Sequence, residues 1–395
     1  MRKLASIQKI KDISPIVGRD RIVKATIEGW SVIVSKDDFK VGDLCVFFEI
    51  DSILPNVPEF EFANKRSSHL RTMKMGGVLS QGLAITIEQA ESVAKQLKHS
   101  FPKKLEVGLD LTNVLGITKW EPKEQTPRTI RKKSFFERLK SFFVRPENTD
   151  FPTNLVEKTD ETRVENIIDT EIQEWADKKI PFTATVKMDG SSTTWILRKK
   201  AFGGFEKIMC SRNIRITKDS EFYERYVDIR DKSKIFEVLN TIYDLANSKR
   251  IGLDESDKSK VEFVCIQAEL CGPGIQGNRA KLEHNTLFAF NLIIKTGQKK
   301  YKLPPNTFDY VIDLPENDYL FIVQNVYLAN VNNGHLPRTI EAFYNMSTIY
   351  YDNVRNNREP AKELELLGEG IVFRNYEHGL SFKCVNPDYL MKNKE

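Results

Sequence analysis

From Arg21 to about Ile87, apolar and polar residues tend to alternate, as in Arg21–Val34 and Asp43–Ile50. A turn at Lys36–Asp43 and a glycine pair at Gly76–Gly77 interrupt the alternation. A period of two puts successive side chains on opposite faces of a strand, so this stretch predicts a small antiparallel barrel. The pattern ends near Trp120. After Thr153 the texture changes to apolar runs that predict strands at Phe182–Met188, Thr193–Leu197, Val261–Leu270, Leu287–Ile294, Gly370–Arg374 and Leu380–Val385. Between and after them, Asp219–Asp228, Ser233–Ser248 and Thr339–Asn357 predict helices. The fold class is α+β, with a barrel over residues 1–120, a basic linker over 121–150 and a larger domain over 151–395. In the linker, Phe135, Phe136, Leu139, Phe142 and Phe143 fall on one face of a short helix, suited to packing on a neighbouring domain or to docking on RNA.

Composition narrows the class. A chain of 395 residues suggests two or three domains, and 40% hydrophobic residues exclude wholesale disorder. No apolar run approaches the roughly 18 residues of a membrane span, and the N-terminus has no apolar signal core. The five cysteines include no CxxC pair, which argues against a disulfide framework or structural zinc and for an intracellular protein in cytoplasm or nucleus. The net charge is only +5, so affinity for a polyanion depends on local clustering such as the lysines and arginines of the linker.

The segment Thr183–Leu197 carries the most specific chemistry. Lys187 stands at the end of a predicted strand and is followed by Asp189, Gly190, Ser191 and Ser192. Nucleophilic lysine chemistry needs an unprotonated amine, which burial or a nearby cation favours by lowering the pKa. Gly190 keeps the backbone small where a nucleotide could approach. By itself the pattern KxDG also describes a surface hairpin turn with a solvated lysine.

The segment resembles motif I of the covalent nucleotidyltransferases, the superfamily of polynucleotide ligases and capping enzymes. Five more stretches resemble later motifs in the same order: Cys210–Asn213, Gln267–Leu270, Leu287–Asn291, Glu369–Arg374 and Leu380–Lys383. Lys36–Val46, Leu79–Leu83 and Phe151–Asn166 are similar to the Deinococcus-type RNA ligases, which carry an OB-like domain ahead of the catalytic one. Only 12 residues follow Lys383, too few for the OB-fold that DNA ligases and capping enzymes place after motif V.

The resemblance implies an N-terminal OB-like β-barrel followed by an ATP-grasp-like covalent nucleotidyltransferase domain of antiparallel sheets and helices. It implies an ATP-dependent RNA ligase that seals 5′-phosphate and 3′-hydroxyl RNA ends at nicks in duplexes, as a monomer and without a membrane. Lys187 is the nucleophile for ATP, with Glu269, Glu369 and Lys383 as further catalytic residues. Asp189, Glu269 and Glu369 are candidates to hold a hydrated Mg²⁺ or Mn²⁺, and Glu269 has the ribose as its alternative. Arg212 and Asn213 are expected at the ribose or a 5′-phosphate, Phe290 or Phe288 at the adenine, and Lys383 at the α-phosphate. Related ligases often carry KxK where this chain has Ser381, Lys383 and Val385, with one lysine. The loop Gly272–Gly277 formally matches GxGxxG, but the following residues suit a loop beside motif III, with Gln276, Asn278 and Arg279 near the nucleotide or metal. A GTP-dependent capping guanylyltransferase and a non-catalytic RNA-binding module are the other classes considered.

Overall fold

The structure, a computed structural model, describes residues 2–120, 149–312, 317–348, 350–351 and 366–392. Residues 121–148, nearly all of the basic linker with its aromatic face, lie outside the described residues. The N-terminal strands are Ala5–Ile16 (β1), Arg19–Ile27 (β2), Trp30–Ser35 (β3), Leu44–Phe48 (β4), Thr72–Met75 (β5), Val78–Gln81 (β6) and Leu83–Ile85 (β7). Five of them make an antiparallel sheet in the order β3-β2-β1-β4-β7, a half-barrel.

β1 precedes the stretch whose alternation predicted strands, because its lysines mask the pattern. Ala5, Ile7 and Ile10 are buried, and Ser6 and Gln8 are buried with them, the Gln8 amide donating to the Ser6 hydroxyl at 3.1 Å. The first half of β1 pairs with β4 and the second with β2, and register slips at Ile10–Asp12 and Pro15–Ile16 bend it between the two. The bent sheet buries apolar residues on both faces. Trp30, Val32 and Phe47 lie on one, and Ile7, Phe48 and Phe60 lie on the other beneath helix Ile87–Gln96 (α1). Thr86 and Gln89 close a reciprocal capping box at the start of α1.

The C-terminal half is built on two sheets. Its elements are Thr162–Arg163 (β8), Glu171–Asp177 (α2), Thr183–Lys187 (β9), Ser191–Lys199 (β10), Phe205–Cys210 (β11), Tyr223–Ser233 (α3), Ile235–Lys249 (α4), Val261–Cys271 (β12), Thr286–Thr296 (β13), Lys300–Leu303 (β14), Leu320–Ile322 (β15), Asn325–Val326 (β16), Ile340–Ser347 (α5), Gly370–Asn375 (β17), Leu380–Val385 (β18) and Pro387–Lys392 (α6). One sheet runs β8-β18-β17-β9-β16, and the other runs β11-β10-β12-β13-β14 with β15 beside β13. α3 and α4 bury Tyr226, Leu239 and Ile242 against Trp195, Ile266 and Leu292 of the larger sheet. The smaller sheet packs Phe373 and Phe382 face to face at 4.7 Å beneath Phe343 of α5.

All six predicted strands form. Two helices differ from expectation. The first begins at Tyr223 rather than Asp219, because Thr217–Ser220 forms a turn in which the Thr217 amide donates to the Ser220 hydroxyl at 2.9 Å. The last stops at Ser347, where the Ser347 and Thr348 hydroxyls donate back to the Tyr344 carbonyl, and Tyr350–Tyr351 is a short strand. Positions 352–357 of that expected helix lie outside the described residues.

A polar seam joins the halves. The Trp30 indole donates to Asn166 Oδ1 at 2.5 Å, the Asn166 amide donates to Glu49 at 2.8 Å, and the Gly29 amide donates to the Glu165 carbonyl at 2.8 Å.

Candidate active site

β9 ends in the smaller sheet and β10 begins in the larger one, so the turn Met188–Gly190 sits where the two sheets meet. Lys187 is the last residue of β9 and pairs in register with Gly370, which places Glu369 beside it. Gly370 has φ +149°, and a Cβ there would lie 2.2 Å from the Cys384 carbonyl oxygen, so both backbone conformation and space demand glycine. Gly190 lines the cavity, and packing within the protein also demands a glycine there. A Cβ there would stand 2.5 Å from the Leu270 carbonyl oxygen and 2.9 Å from Glu269 Cγ. Its bareness lets β12 press against the turn and brings Glu269 to the lysine.

These residues line one cavity of about 260 Å³, walled on the other side by the N-terminal half. Lys187 Nζ donates to Glu369 Oε2 at 2.5 Å. Burial opposes the lysine's charge, but Glu369, Glu269 and Asp189 outweigh it and hold the amine above the usual lysine range. This reverses the sequence expectation of a lowered pKa, because no local pattern reports that three carboxylates from distant strands face the amine. Burial raises Glu269 to about 8, against the pull of Lys187, and also raises Glu369. Asp189 accepts from Arg279 at 2.8 Å and from the Tyr389 hydroxyl of α6.

A second cluster is basic. Asp160 accepts from Lys383 at 3.2 Å and lies 3.4 Å from Lys119 and 3.5 Å from Arg212. Burial works against the Asp160 charge, yet Lys383, Lys119 and Arg212 hold it well below the usual carboxylate range. Burial pulls Lys383 down to about 8 although Asp160 supports its charge. Arg163 is in register with Lys383, so β8 supplies a second cation beside the single lysine of β18. Arg163 is buried, with Nε and Nη1 lacking a hydrogen-bond partner and its nearest carboxylate, Asp51, at 3.9 Å. Arg2 completes this wall, bonding Glu49 at 2.5 Å and Asp51 at 3.0 Å.

The structure therefore brings Lys187, Asp189, Arg212, Glu269, Glu369 and Lys383 to one cavity. Asn213 is not in it. Together with Arg212 it forms the corner of a turn closed by the Ser211 amide donating to the Ile214 carbonyl, and it lines the adjoining cleft between the halves. Phe288 and Phe290 do not line the cavity either. Both are buried in a small cluster with Val186, Met188 and Val323, and the Arg374 guanidinium lies 5.1 Å over the Phe290 ring. In this structure neighbouring apolar side chains cover both rings. Of the loop after β12, Gln276 and Arg279 reach the cavity, while Asn278 ties its own loop to Leu282. Arg2, Asp160, Arg163 and Tyr389 were missed by sequence reasoning. Asp160 and Arg163 lie within Phe151–Asn166, so that stretch held the available signal.

Among the described residues no three Asp, Glu, His or Cys side chains converge closely enough to enclose a metal ion. The half-buried oxygen donors Asp189, Glu269 and Glu369 nevertheless fit a hard divalent cation that keeps several waters, and the unmet Arg163 donors fit an anion.

A family model described as RNA ligase matches residues 180–388, more than half of the chain and inclusive of Lys187, Glu269, Glu369 and Lys383. The chain belongs to the RNA ligase family. A model described as an OB-fold domain matches residues 4–87 of this ligase, the half-barrel. Solved structures of a Naegleria gruberi RNA ligase are similar throughout. A mutant with ATP and Mn is 25% identical, covers 99% of this chain and 100% of that one, and has a TM-score of 0.71. A mutant with AMP and Mn is 26% identical with full coverage of both chains and a TM-score of 0.70. The protein with PPi is 26% identical, covers 99% and 98%, and has a TM-score of 0.70. No curated protein matches the chain. The ligase shows no helix, among its described residues, long and apolar enough to cross a membrane.

Proposed function

We propose that this RNA ligase joins a 5′-phosphate to a 3′-hydroxyl using ATP, with Lys187 as the carrier of AMP. The observation that carries the reading is the pairing of Lys187 with Glu369 in a cavity that also presents Lys383, Arg212 and Arg163. Unprotonated Lys187 Nζ attacks the α-phosphorus of ATP, so that a P–N bond forms as the bond to pyrophosphate breaks. The AMP then moves to the RNA 5′-phosphate, breaking the P–N bond and freeing the amine. Attack of the 3′-hydroxyl on that phosphate forms the new phosphodiester and releases AMP. The protein contributes alignment and fixed positive charge for phosphates, which is most of what phosphoryl transfer needs. Lys383, Arg212 and Arg163 supply that charge, and Glu369 sets the protonation of Lys187. Asp189, Glu269 and Glu369 would hold a Mg²⁺ or Mn²⁺, which would supply positive charge to the phosphate and would compete with the lysine for these carboxylates.

The cleft between the halves, about 1040 Å³ and lined by Lys3, Lys119, Lys158 and Arg212, suits an RNA backbone. We take residues 1–120 as the OB-like domain, 121–150 as the linker and 151–395 as the catalytic domain. The nearest functional type is the Deinococcus-type RNA ligase, acting as an intracellular monomer at nicks in duplexes. Its five buried free cysteines agree with a reducing compartment.

Incubation with α-labelled ATP or GTP tests the reading. The label should attach covalently from ATP, require Mg²⁺ or Mn²⁺, and vanish in Lys187→Ala. Labelling from GTP alone would indicate capping chemistry, and no labelling from either would remove the catalytic reading.

A further inference from the structure

The cavity wall contributed by the N-terminal half carries an aromatic pair that the three steps above do not use. Trp120 lies against His69 with ring centroids 4.1 Å apart and planes inclined by 15°. Both rings line the cavity that holds Lys187. Neither belongs to the apolar clusters that stabilise the N-terminal half. Trp120 is half-buried, and His69 is its single ring contact among the described residues. One face of the indole is backed by a ring, and among the described residues no second ring stacks on it.

The support is rigid. Burial, with Arg71 alongside, pulls the His69 pKa down to about 4, so its ring is neutral at physiological pH. Arg71 Nε donates to His69 Nε2 at 3.2 Å, and the Ser68 hydroxyl lies 3.2 Å from Nδ1, so both ring nitrogens are held. The Trp120 amide donates to the Asp51 carbonyl at 2.7 Å, fixing the backbone beneath the indole. The neighbouring residue, Lys119, belongs to the Asp160 cluster with Lys383 and Arg212. An aromatic plane thus begins one residue beyond a group of cations suited to phosphate. Cations for the backbone beside a flat ring for the base is the arrangement by which proteins hold unpaired nucleotides.

We propose that Trp120, backed by His69, stacks the terminal nucleobase of the RNA strand whose 5′-phosphate enters the cavity. The assignment rests on the RNA ligase reading. It gives the N-terminal half a direct part in presenting the phosphate end, and because every base has a π-face it makes that end sequence-tolerant. The adenine of ATP is the other nucleobase that could reach the ring, and the test separates the two.

The full-length protein is titrated with a 5′-phosphorylated oligoribonucleotide without ATP while tryptophan fluorescence is followed. Binding should quench emission, and Trp120→Phe should abolish the quench while retaining affinity. Trp120→Leu keeps bulk without the aromatic plane, and it should weaken RNA binding about tenfold, the usual scale for one stacked base. In single-turnover reactions begun from lysyl-AMP protein, Trp120→Leu should slow transfer of AMP to RNA at subsaturating RNA. That loss should exceed any loss in lysyl-AMP formation at least tenfold, and Trp120→Phe should largely restore transfer. Equal losses in both reactions would mean that the pair only supports the wall, and would overturn the proposal. Equal quenching by ATP alone would assign the ring to adenine and overturn it as well. If wild-type protein forms no lysyl-AMP, the ligase reading fails, whereas normal lysyl-AMP with unaltered RNA transfer in Trp120→Leu sinks only the stacking proposal.

Discussion

Replacing Lys187 with methionine isolates the charge of the amine, because methionine retains a similar unbranched length. In the wild-type site the amine offsets Glu369 at 2.5 Å and also faces Glu269 and Asp189. The Lys187 and Glu369 side chains are 22% and 17% exposed, so water screens the pair only partly. Removing one partner of a buried pair costs about 3 kcal/mol at the lower end of the usual range. For a domain of this size that corresponds to a fall in melting temperature of roughly 6–12 °C. The loss should depend on pH. Glu269 has its folded pKa raised from 4.5 to about 8 by burial, so between those values the folded state binds more protons than the unfolded chain. Its contribution to stability is therefore present below 4.5 and is lost as pH rises towards 8. Without Lys187 that penalty grows, so Lys187→Met should be markedly less stable than wild type at pH 8 and much closer to it at pH 5. Calorimetry of both proteins at the two pH values measures this, and Mn²⁺ at pH 8 should raise the variant's melting temperature more than the wild type's. An equal deficit at both pH values would show that packing, not charge, sets the role of the amine in the free enzyme.

Three further outcomes follow from the geometry. Tyr389→Phe removes one of the donors that orient Asp189, and it should raise the Mn²⁺ concentration for half-maximal lysyl-AMP formation by up to about tenfold, the equivalent of one ~1.4 kcal/mol hydrogen bond to a charged group; a metal titration checks it. Lys383 is charged below its pKa of about 8 and loses that charge as pH rises through it, so ATP affinity should decline from pH 7 to 9.5, and Lys383→Arg should flatten the decline. Asn166→Ala cuts the links to Trp30 and Glu49 across the seam, and should cost roughly 2 kcal/mol and separate the unfolding of the two halves in calorimetry.

The catalytic strands were legible because each is a compact apolar run in a sheet buried on both faces, and their lysines and carboxylates punctuate those runs. The roles of Lys187, Glu269, Glu369 and Lys383 came from the order of the motifs those strands resemble, since the runs alone would make Glu269 and Glu369 ordinary strand-end carboxylates. Beyond Lys383 and Arg212, the basic side of the cavity was not read from the sequence. Asp160 and Arg163 stood within the resembling stretch Phe151–Asn166, but their roles, like that of Arg2, depend on β8 pairing with β18 and on the N-terminal half closing over both. The direction of the Lys187 shift was hidden for the same reason, since Glu369 reaches it only through the β9–β17 register. Phe288 and Phe290 illustrate the converse, in which a correct strand with a correct face still leaves open whether a ring meets a ligand or its neighbours. β1 escaped notice because its lysines mask the alternation and because paired Ser6 and Gln8 occupy interior positions that a simple alternation reserves for apolar residues.

The cavity draws its walls from both extremes of the described chain: Arg2 bonds Glu49 and Asp51 on one side, and Tyr389 bonds Asp189 on the other. During synthesis the first wall exists long before the last. A nascent chain halted before α6 carries the nucleophile and its carboxylates but not the Tyr389 contact, so Asp189 has one orienting donor fewer until α6 emerges.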